Sequence, residues 1–261
     1  MKKFTCILLC LFTALIQPIW AEATPTENPN DISSYKRESV SWGLGKERDT
    51  NNQPVDAVKA NDEYKDLNTI FVGKNENKIY LTFDNGYENG NTPMILDILK
   101  EKQVHAVFFL TGQYIEENPE LVKRMIAEGH IIGNHTTRHK SFIEATNEEI
   151  SQEITDFDKQ MMTRFNYQPT LVRPPKGEFH EQALAIAKSL GHQTVLWSFA
   201  YYDYNVNDQM SPEKALKKCL EGAHPGAIYL LHSVSSTNVK ILPDLIDQLI
   251  ANGYIISDYD L

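Results

Sequence analysis

Four polar stretches of this chain hold side chains able to do chemistry, and each follows a short apolar run. The first ends in Asp84, within Lys78-Ile-Tyr-Leu-Thr-Phe-Asp84-Asn-Gly-Tyr-Glu-Asn-Gly90. The others are His135-Thr-Thr-Arg-His139, Arg173-Pro-Pro-Lys-Gly177 and Leu230-Leu-His232-Ser. A carboxylate at a strand end can accept a proton, and the glycines beside it let backbone come close to a ligand or metal. His135 and His139 are spaced i, i+4, so on one helical turn or a tight loop both imidazoles can point at one metal. His232 is of the type that titrates near neutrality and exchanges protons there. Each stretch has a plainer reading when taken alone. Asp84-Asn-Gly can simply be a turn between strand and helix, H-x-x-x-H two surface histidines, Arg173-Pro-Pro a solvent-facing loop, and His232 a satisfied histidine at a strand end.

A βα rhythm beginning near residue 78 must position these groups. Apolar, β-favouring runs predict strands near 79–83, 105–110, 130–133, 170–172, 193–198, 227–231 and 254–257. Helical patterns predict helices near 92–102, 118–128, 147–165, 179–190, 211–221 and 238–252. Gly129, Gly191 and Gly253 stand just past helices, where C-cap glycines belong, and Pro119 and Pro212 fall in first turns. Seven strands alternating with helices imply a parallel sheet, either doubly wound or closed into a barrel. In a barrel the active site forms at the C-terminal ends of the strands. Asp84, His135, Arg173 and His232 all fall just after predicted strands, which puts all four on one face.

Taken in order, the four stretches resemble the motif series of the polysaccharide deacetylase family, the NodB homology domain. The resemblance spans roughly residues 75–257. Asn85 and the long Asp-Asn-Gly-Tyr-Glu-Asn-Gly run resemble one branch of it, the delta-lactam-biosynthetic de-N-acetylases of spore cortex peptidoglycan. The resemblance implies a single catalytic α/β domain over 75–261, built as a deformed seven-stranded (β/α) barrel. It implies Asp84 as general base and His232 as the acid that protonates the leaving sugar nitrogen. His135 and His139 are the implied ligands of a divalent cation (zinc, manganese or magnesium), which would form the oxyanion site with a backbone N–H near Tyr87. The family usually has Asp where this chain has Asn85, a neutral and weaker donor, so the implied metal binding is weaker and more exchangeable. Arg173 is implied to bracket Asp84 and keep it ionised. Asp203 matches a further motif, with an expected pairing to Arg173. The family often has Trp after this Asp, and here Tyr204 stands in its place. Tyr87, Tyr201, Tyr202 and Tyr204 are candidate sugar-stacking rings, and Trp197 is core or pocket floor. The implied reaction removes the acetyl group of N-acetylmuramic acid in peptide-stripped peptidoglycan, leading to muramic δ-lactam in spore cortex.

The chain has 261 residues, 41% hydrophobic, and a net charge of −10. That size supports one sizeable domain, and the charge argues against a nucleic-acid partner. It also argues against long-range steering toward anionic wall polymers. Residues 1–23 read as a signal peptide: Lys2 and Lys3, an apolar stretch from Phe4 to Ile16, and a small-x-small site at Ala21-Glu-Ala23. The apolar run is too short for a stable membrane span. The resemblance then implies secretion across the cytoplasmic membrane to the cell wall or the spore intermembrane space, with peptidoglycan glycan strands as partner. Residues 24–74 read as a polar linker or irregular wrap, with Trp42 docking on the core. Two of the three cysteines lie in the signal segment, and the third, Cys219, reads as a buried small hydrophobe. Three other functions compete: a deacetylase of N-acetylglucosamine in peptidoglycan or chitin, a wall-glycan binding protein inactive through Asn85, and a two-carboxylate glycosidase using Asp84 with Asp203 or Glu88, which would leave the histidine pair unexplained.

Overall fold

The apolar runs form the centre of a curled parallel sheet. In this computed structural model, which describes residues 32–74 and 76–257, the strands are β1 (Val40–Ser41), β2 (Thr69–Ile70), β3 (Lys78–Asn85), β4 (Val107–Leu110), β5 (Ile131–Asn134), β6 (Leu171–Val172), β7 (Glu178–Phe179), β8 (Gln193–Val195), β9 (Phe199–Ala200), β10 (Ala227–His232) and β11 (Ile255–Ile256). The helices are α1 (Val55–Tyr64), α2 (Thr92–Glu101), α3 (Gly112–Glu117), α4 (Pro119–Ala127), α5 (Asn147–Phe165), α6 (Glu181–Ser189), α7 (Pro212–Glu221) and α8 (Ser236–Ala251). The expected signal segment lies outside the described residues.

The sheet runs β2-β8-β6-β5-β4-β3-β10-β9, all parallel, with β11 on β3. The architecture is α/β and barrel-like as expected, but among the described residues eight strands make the curl and β11 adds a ninth to the sheet, where seven in all were expected. The strand expected over 193–198 is broken in two. β8 pairs at one end of the sheet and β9 at the other, and residues 196–198 cross between them. Leu196 N–H donates to Ile70 O at 2.8 Å on one side, and Ser198 N–H to Ile228 O at 3.1 Å on the other. The additional strand, β2, lies in the segment read as linker or wrap. That segment also carries α1, whose Ala57, Ala60 and Tyr64 are buried. A two-residue strand and a polar helix carry too little periodicity to be seen in sequence.

Strand alternation sorts the core into two layers. Ile79, Leu81 and Phe83 of β3, Phe108 and Leu110 of β4, and Ala227, Tyr229 and Leu231 of β10 pack with α2, α4, α7 and α8. Tyr80, Val107, Phe109, Ile228 and Leu230 point the other way, into the curl, against Phe71, Trp197 and the N-terminal segment. The strands are apolar on both faces, as parallel strands covered on both sides must be. Cys219 is buried, and burial pushes its thiol up to about 12, so it packs as the sequence implied.

The N-terminal segment is fastened to the mouth of the curl. β1 pairs antiparallel with β7. The Trp42 ring lies 4.4 Å from that of Phe71, and its Nε1 donates to Trp197 O at 3.0 Å. Trp42→Ala is expected to cost about 2 kcal/mol of unfolding free energy, the range for truncating a partly buried aromatic. Denaturant titration of the two proteins checks it, and an unchanged midpoint would contradict this role.

Candidate active site

Asp84 is the last inward-facing residue of β3, following Tyr80 and Thr82 on the same face. Its side chain is 9% exposed, and its Oδ1 lies 2.7 Å from Nη1 of Arg173, whose side chain is fully buried. Arg173 also donates from Nε to Val195 O at 3.0 Å and from Nη2 to Leu196 O at 3.3 Å. Its guanidinium stacks 4.1 Å above the Phe109 ring. Burial alone would raise the Asp84 pKa, but the charges of Arg173, His135 and His232 outweigh it and hold the carboxylate below its usual range. The expected bracket between Arg173 and Asp84 is present.

Asn85 lies on the opposite face, because consecutive strand residues alternate. It is fully buried. Its Oδ1 accepts from Ser233 Oγ at 2.9 Å, and its Nδ2 donates to Thr92 Oγ1 at 3.3 Å. The structure therefore does not bring the Asn85 side chain to the two histidines, contrary to its expected place as a weak ligand. It ties the strand end to α2 and to the loop after β10.

His135 and His139 sit in the turn after β5. The turn is tight: Thr136 and His139 have φ of 69° and 57°, and His139 N–H donates to Thr136 Oγ1 at 3.0 Å. The two rings are 4.8 Å apart at 70°. His135 Nδ1 lies 2.9 Å from Arg173 O, so it carries the proton and donates. Burial, only partly opposed by the Asp84 charge, pushes His135 down to about 4. Burial lowers His139 as well. The neutral His135 ring thus presents a bare Nε2 lone pair 3.4 Å from Oδ2 of the ionised Asp84. Two acceptors facing each other are completed by a cation, and neutral imidazole with carboxylate is a donor set that suits a zinc-like metal. The pair fits a divalent ion held by His135 and His139. Among the described residues no group of three or more His, Cys, Asp or Glu is arranged to hold one. Asn134-His-Thr136 also spells an Asn-x-Thr glycosylation sequon, but Asn134 is fully buried and its amide donates to Ile154 O and Asp158 Oδ1.

His232 ends β10, and its register partner on the neighbouring strand is Asp84. Its Nδ1 lies 2.7 Å from Asp203 Oδ1, and its backbone N–H donates to Asp203 Oδ2 at 2.8 Å. Asp203 therefore pairs with His232, not with Arg173 as expected. Arg173 is already occupied by Asp84 and two carbonyls, whereas the loop after β9 runs beside β10. Burial pulls the His232 pKa down, but the hydrogen bond and charge of Asp203 outweigh it and the net shift is upward. Asn238, in the first turn of α8, donates to Asp203 Oδ2 at 2.7 Å and completes the arrangement. Sequence reasoning missed Asn238; its one signal was the Ser235-x-x-Asn238 start of a helix just after the His232 motif.

A groove of about 1180 Å³ collects these groups, with Asp84, His135, His139 and His232 along its wall. Tyr87 and Tyr204 also line it, 46% and 56% exposed, while Trp197 is buried at 8% and lies on its floor. Tyr204 stacks edge-on against His232 at 5.8 Å and Tyr202 against Tyr204 at 4.6 Å. Gly177 is required beneath it: its φ is 67°, and a Cβ there would meet Trp197 Cη2 at 2.5 Å. Three of the histidines without a motif have structural partners, His180 capping α6, His192 on Asp158 and His224 on Ser198.

The sequence profile of the polysaccharide deacetylase family matches residues 72–195. The chain is 39% identical to the peptidoglycan-N-acetylmuramic acid deacetylase PdaA of Bacillus subtilis, over 99% of this chain and 95% of that protein. It belongs to the polysaccharide deacetylase family. The solved structure of PdaA, a family 4 carbohydrate esterase, superposes with a TM-score of 0.81 and covers 86% of this chain and 97% of that one. A family 4 carbohydrate esterase from Bacillus anthracis superposes at 0.72 with 35% identity, over 87% of this chain and 97% of that one. A peptidoglycan-N-acetylglucosamine deacetylase of Bacillus cereus is 35% identical over 70% of this chain and 86% of that protein. The groove thus holds a carboxylate shifted toward its ionised form by Arg173 beside a histidine shifted toward its protonated form by Asp203.

Two outcomes follow. Asp203→Asn removes the charge that raises His232, so the pKa of His232 falls. Activity that needs protonated His232 is lost as pH rises through that pKa, and the alkaline limb of the pH–rate profile moves to lower pH. An unmoved limb would count against His232 as the acid. Arg173→Met leaves Asp84 buried without its partner and is expected to destabilise the fold by about 3–5 kcal/mol, measured by denaturant unfolding.

Proposed function

We propose that this protein hydrolyses the N-acetyl group of N-acetylmuramic acid in peptide-stripped peptidoglycan. The observation that carries the chemistry is the register pairing of Asp84 with His232, the first shifted toward its ionised form by Arg173 and the second toward its protonated form by Asp203. Amide hydrolysis needs a base to take a proton from the attacking water and an acid to protonate the departing nitrogen. Asp84 takes the first proton. His232 delivers the second to the sugar nitrogen and is oriented to do so by Asp203, which binds both its Nδ1 and its backbone. The Gly86–Tyr87 loop lines the same groove, and its backbone N–H is the protein's donor to the developing oxyanion. His135 and His139 would hold a divalent cation, which would supply Lewis-acid polarisation of the acetyl carbonyl. Tyr87 and Tyr204 offer ring faces to the sugars on either side of the scissile amide.

The muramic substrate is supported by the Asp84-Asn-Gly-Tyr-Glu-Asn-Gly run and by the nearly full-length likeness to a protein named for that substrate. Deacetylation of glucosamine residues is the competing reading, supported by the Bacillus cereus relative. The likeness to the Bacillus subtilis deacetylase supports action on peptidoglycan of the cell wall; the resemblance of the Asp84–Gly90 run to the spore cortex branch extends this to spore cortex, with the freed amine closing onto the lactyl carboxylate, with loss of water, as muramic δ-lactam. No helix among the described residues is long and apolar enough to cross a membrane.

Acetate release from peptide-stripped peptidoglycan tests the proposal, comparing the unaltered protein with Asp84→Asn in zinc, manganese or magnesium. The expected result is cation-dependent release that falls about 10²–10⁴-fold in the variant, the usual worth of a positioned base, with both proteins showing cooperative thermal unfolding. Mass analysis of the products should place the lost acetyl on muramic acid. Release confined to glucosamine would favour the competing substrate, and no release under any cation would sink the catalytic reading.

A further inference from the structure

Tyr201 lines the groove, yet it is only 7% exposed and offers little ring face to a sugar. Its hydroxyl donates to Oδ1 of Asn238, which is buried in the first turn of α8. The other end of that amide donates from Nδ2 to Asp203 Oδ2 at 2.7 Å and to His232 O at 3.1 Å. A chain of hydrogen bonds therefore runs from Tyr201 through Asn238 and Asp203 to His232 Nδ1. Its direction is fixed by the groups that compose it. The Asp203 carboxylate and the His232 carbonyl only accept, so the amide nitrogen of Asn238 faces them and its oxygen faces Tyr201. Burial first, and then the Asp203 charge, push the Tyr201 pKa upward, so the hydroxyl keeps the proton it donates.

Asp203 can aim the His232 imidazole only if something besides His232 holds Asp203 itself. Its side chain is fully buried. His232 gives the carboxylate two hydrogen bonds, one from the ring and one from the backbone. Asn238 adds a hold from a different element, and a hydrogen bond to a buried charge is stronger than one between neutral groups. Turned over, the amide would set its oxygen against the carboxylate. The Tyr201 hydroxyl adds a donor that only the observed orientation satisfies. The loop that carries Asp203 is tied separately. Gln209 Nε2 donates to Asp203 O at 3.0 Å and to Asn205 O at 2.6 Å, and Ser235 Oγ, at the cap of α8, donates to Gln209 Oε1. Backbone and carboxylate thus have different fastenings, and the second can be removed without the first.

We infer that Tyr201 and Asn238 are positioning residues that lock the Asp203 carboxylate and, through it, keep the His232 ring turned with Nε2 free for the substrate. This inference rests on the deacetylase reading, in which His232 protonates the leaving nitrogen. Neither residue exchanges a proton with the sugar. Tyr201 is thereby assigned to the acid and not to sugar stacking.

A double-variant cycle of Tyr201→Phe and Asn238→Leu in the full chain tests it. Turnover is followed as acetate released from an alternating N-acetylglucosamine–N-acetylmuramic acid tetrasaccharide with zinc, manganese or magnesium added. Asn238→Leu is expected to lower kcat about 10–100-fold, the worth of a hydrogen bond to a charged group, and Tyr201→Phe about 3–10-fold. KM should stay within about twofold in both, because neither side chain binds the ground-state sugar. The two changes act through one amide, so the double variant should be no slower than Asn238→Leu alone. Additive losses overturn the chain, and so does an unchanged kcat in either variant. A raised KM in Tyr201→Phe also overturns it and makes the hydroxyl a sugar contact. Nitrogen NMR of the His232 ring gives a readout that needs no turnover. Where the ring is neutral, the unaltered protein should carry the proton on Nδ1, and both variants should move part of it to Nε2. An unmoved proton in both variants overturns the clamp, whether or not acetate is released. A moved proton in proteins that release no acetate keeps the clamp and removes the deacetylase reading. Should Asn238→Leu fail to fold, Tyr201→Phe decides by the same two readouts.

Discussion

A fully buried guanidinium inside a curled sheet is the constraint on which this site depends. Taking the charge of Arg173 out of water costs several kcal/mol unless its donors are met. The fold meets them with Asp84, two carbonyls from the chain after β8, and the face of Phe109. The consequences spread from that one side chain. Asp84 is held ionised where burial would otherwise protonate it. The Arg173 carbonyl fixes the proton of His135 on Nδ1, so the bare nitrogen faces the groove. Val195 and Leu196, which receive the arginine, stand where the chain leaves one end of the sheet to reach the other. One residue thus sets the charge of Asp84, the tautomer of an implied metal ligand and the place where the curl stays open.

A second ion pair works by the opposite logic. His232 is only partly buried, and Asp203 supplies enough charge and hydrogen bonding to raise its pKa against that burial. The two pairs never exchange partners, because they are seated on different loops. β3 and β10 are nevertheless neighbours, and their register sets Asp84 beside His232. A carboxylate whose pKa is lowered by an arginine and an imidazole whose pKa is raised by an aspartate stand side by side, the proposed base and acid. Separated pKa values of this kind define acid and base assignments.

What could be read in sequence was the local part. Short apolar runs ending in polar residues located Asp84, His135, Arg173 and His232 on one face, and periodicity found the strands that carry them. The errors came where pairing is non-local. Nothing near Asp203 says that it meets His232 and not Arg173, since the choice depends on which loops the sheet order brings together. The run over 193–198 looks like one strand because its composition is continuous, yet its halves bond to opposite ends of the sheet. Asn85 was legible in principle. It follows Asp84 within a strand, and period-two alternation sends it to the helix layer. The family motif drew attention to the residue type and away from that geometry. Asn238 lies in a helix without a motif, and only the folded chain shows which loop it holds.

Net charge illustrates the same limit. A chain at −10 argues against drawing an anionic polymer from a distance, and that holds at separations beyond the screening length of about 8–10 Å. Within the groove the balance is different. The one carboxylate on the wall is neutralised from behind, Arg138 and Lys176 line the same wall, and the Lys176 turn is fastened to Trp42. The acidic residues that set the overall charge lie elsewhere on the surface, where water and ions screen them. Local positive character at the site and a negative chain are therefore compatible. The N-terminal strap matters to both layers of this arrangement, since β1 and Trp42 brace the Lys176 turn and the Trp197 floor at once.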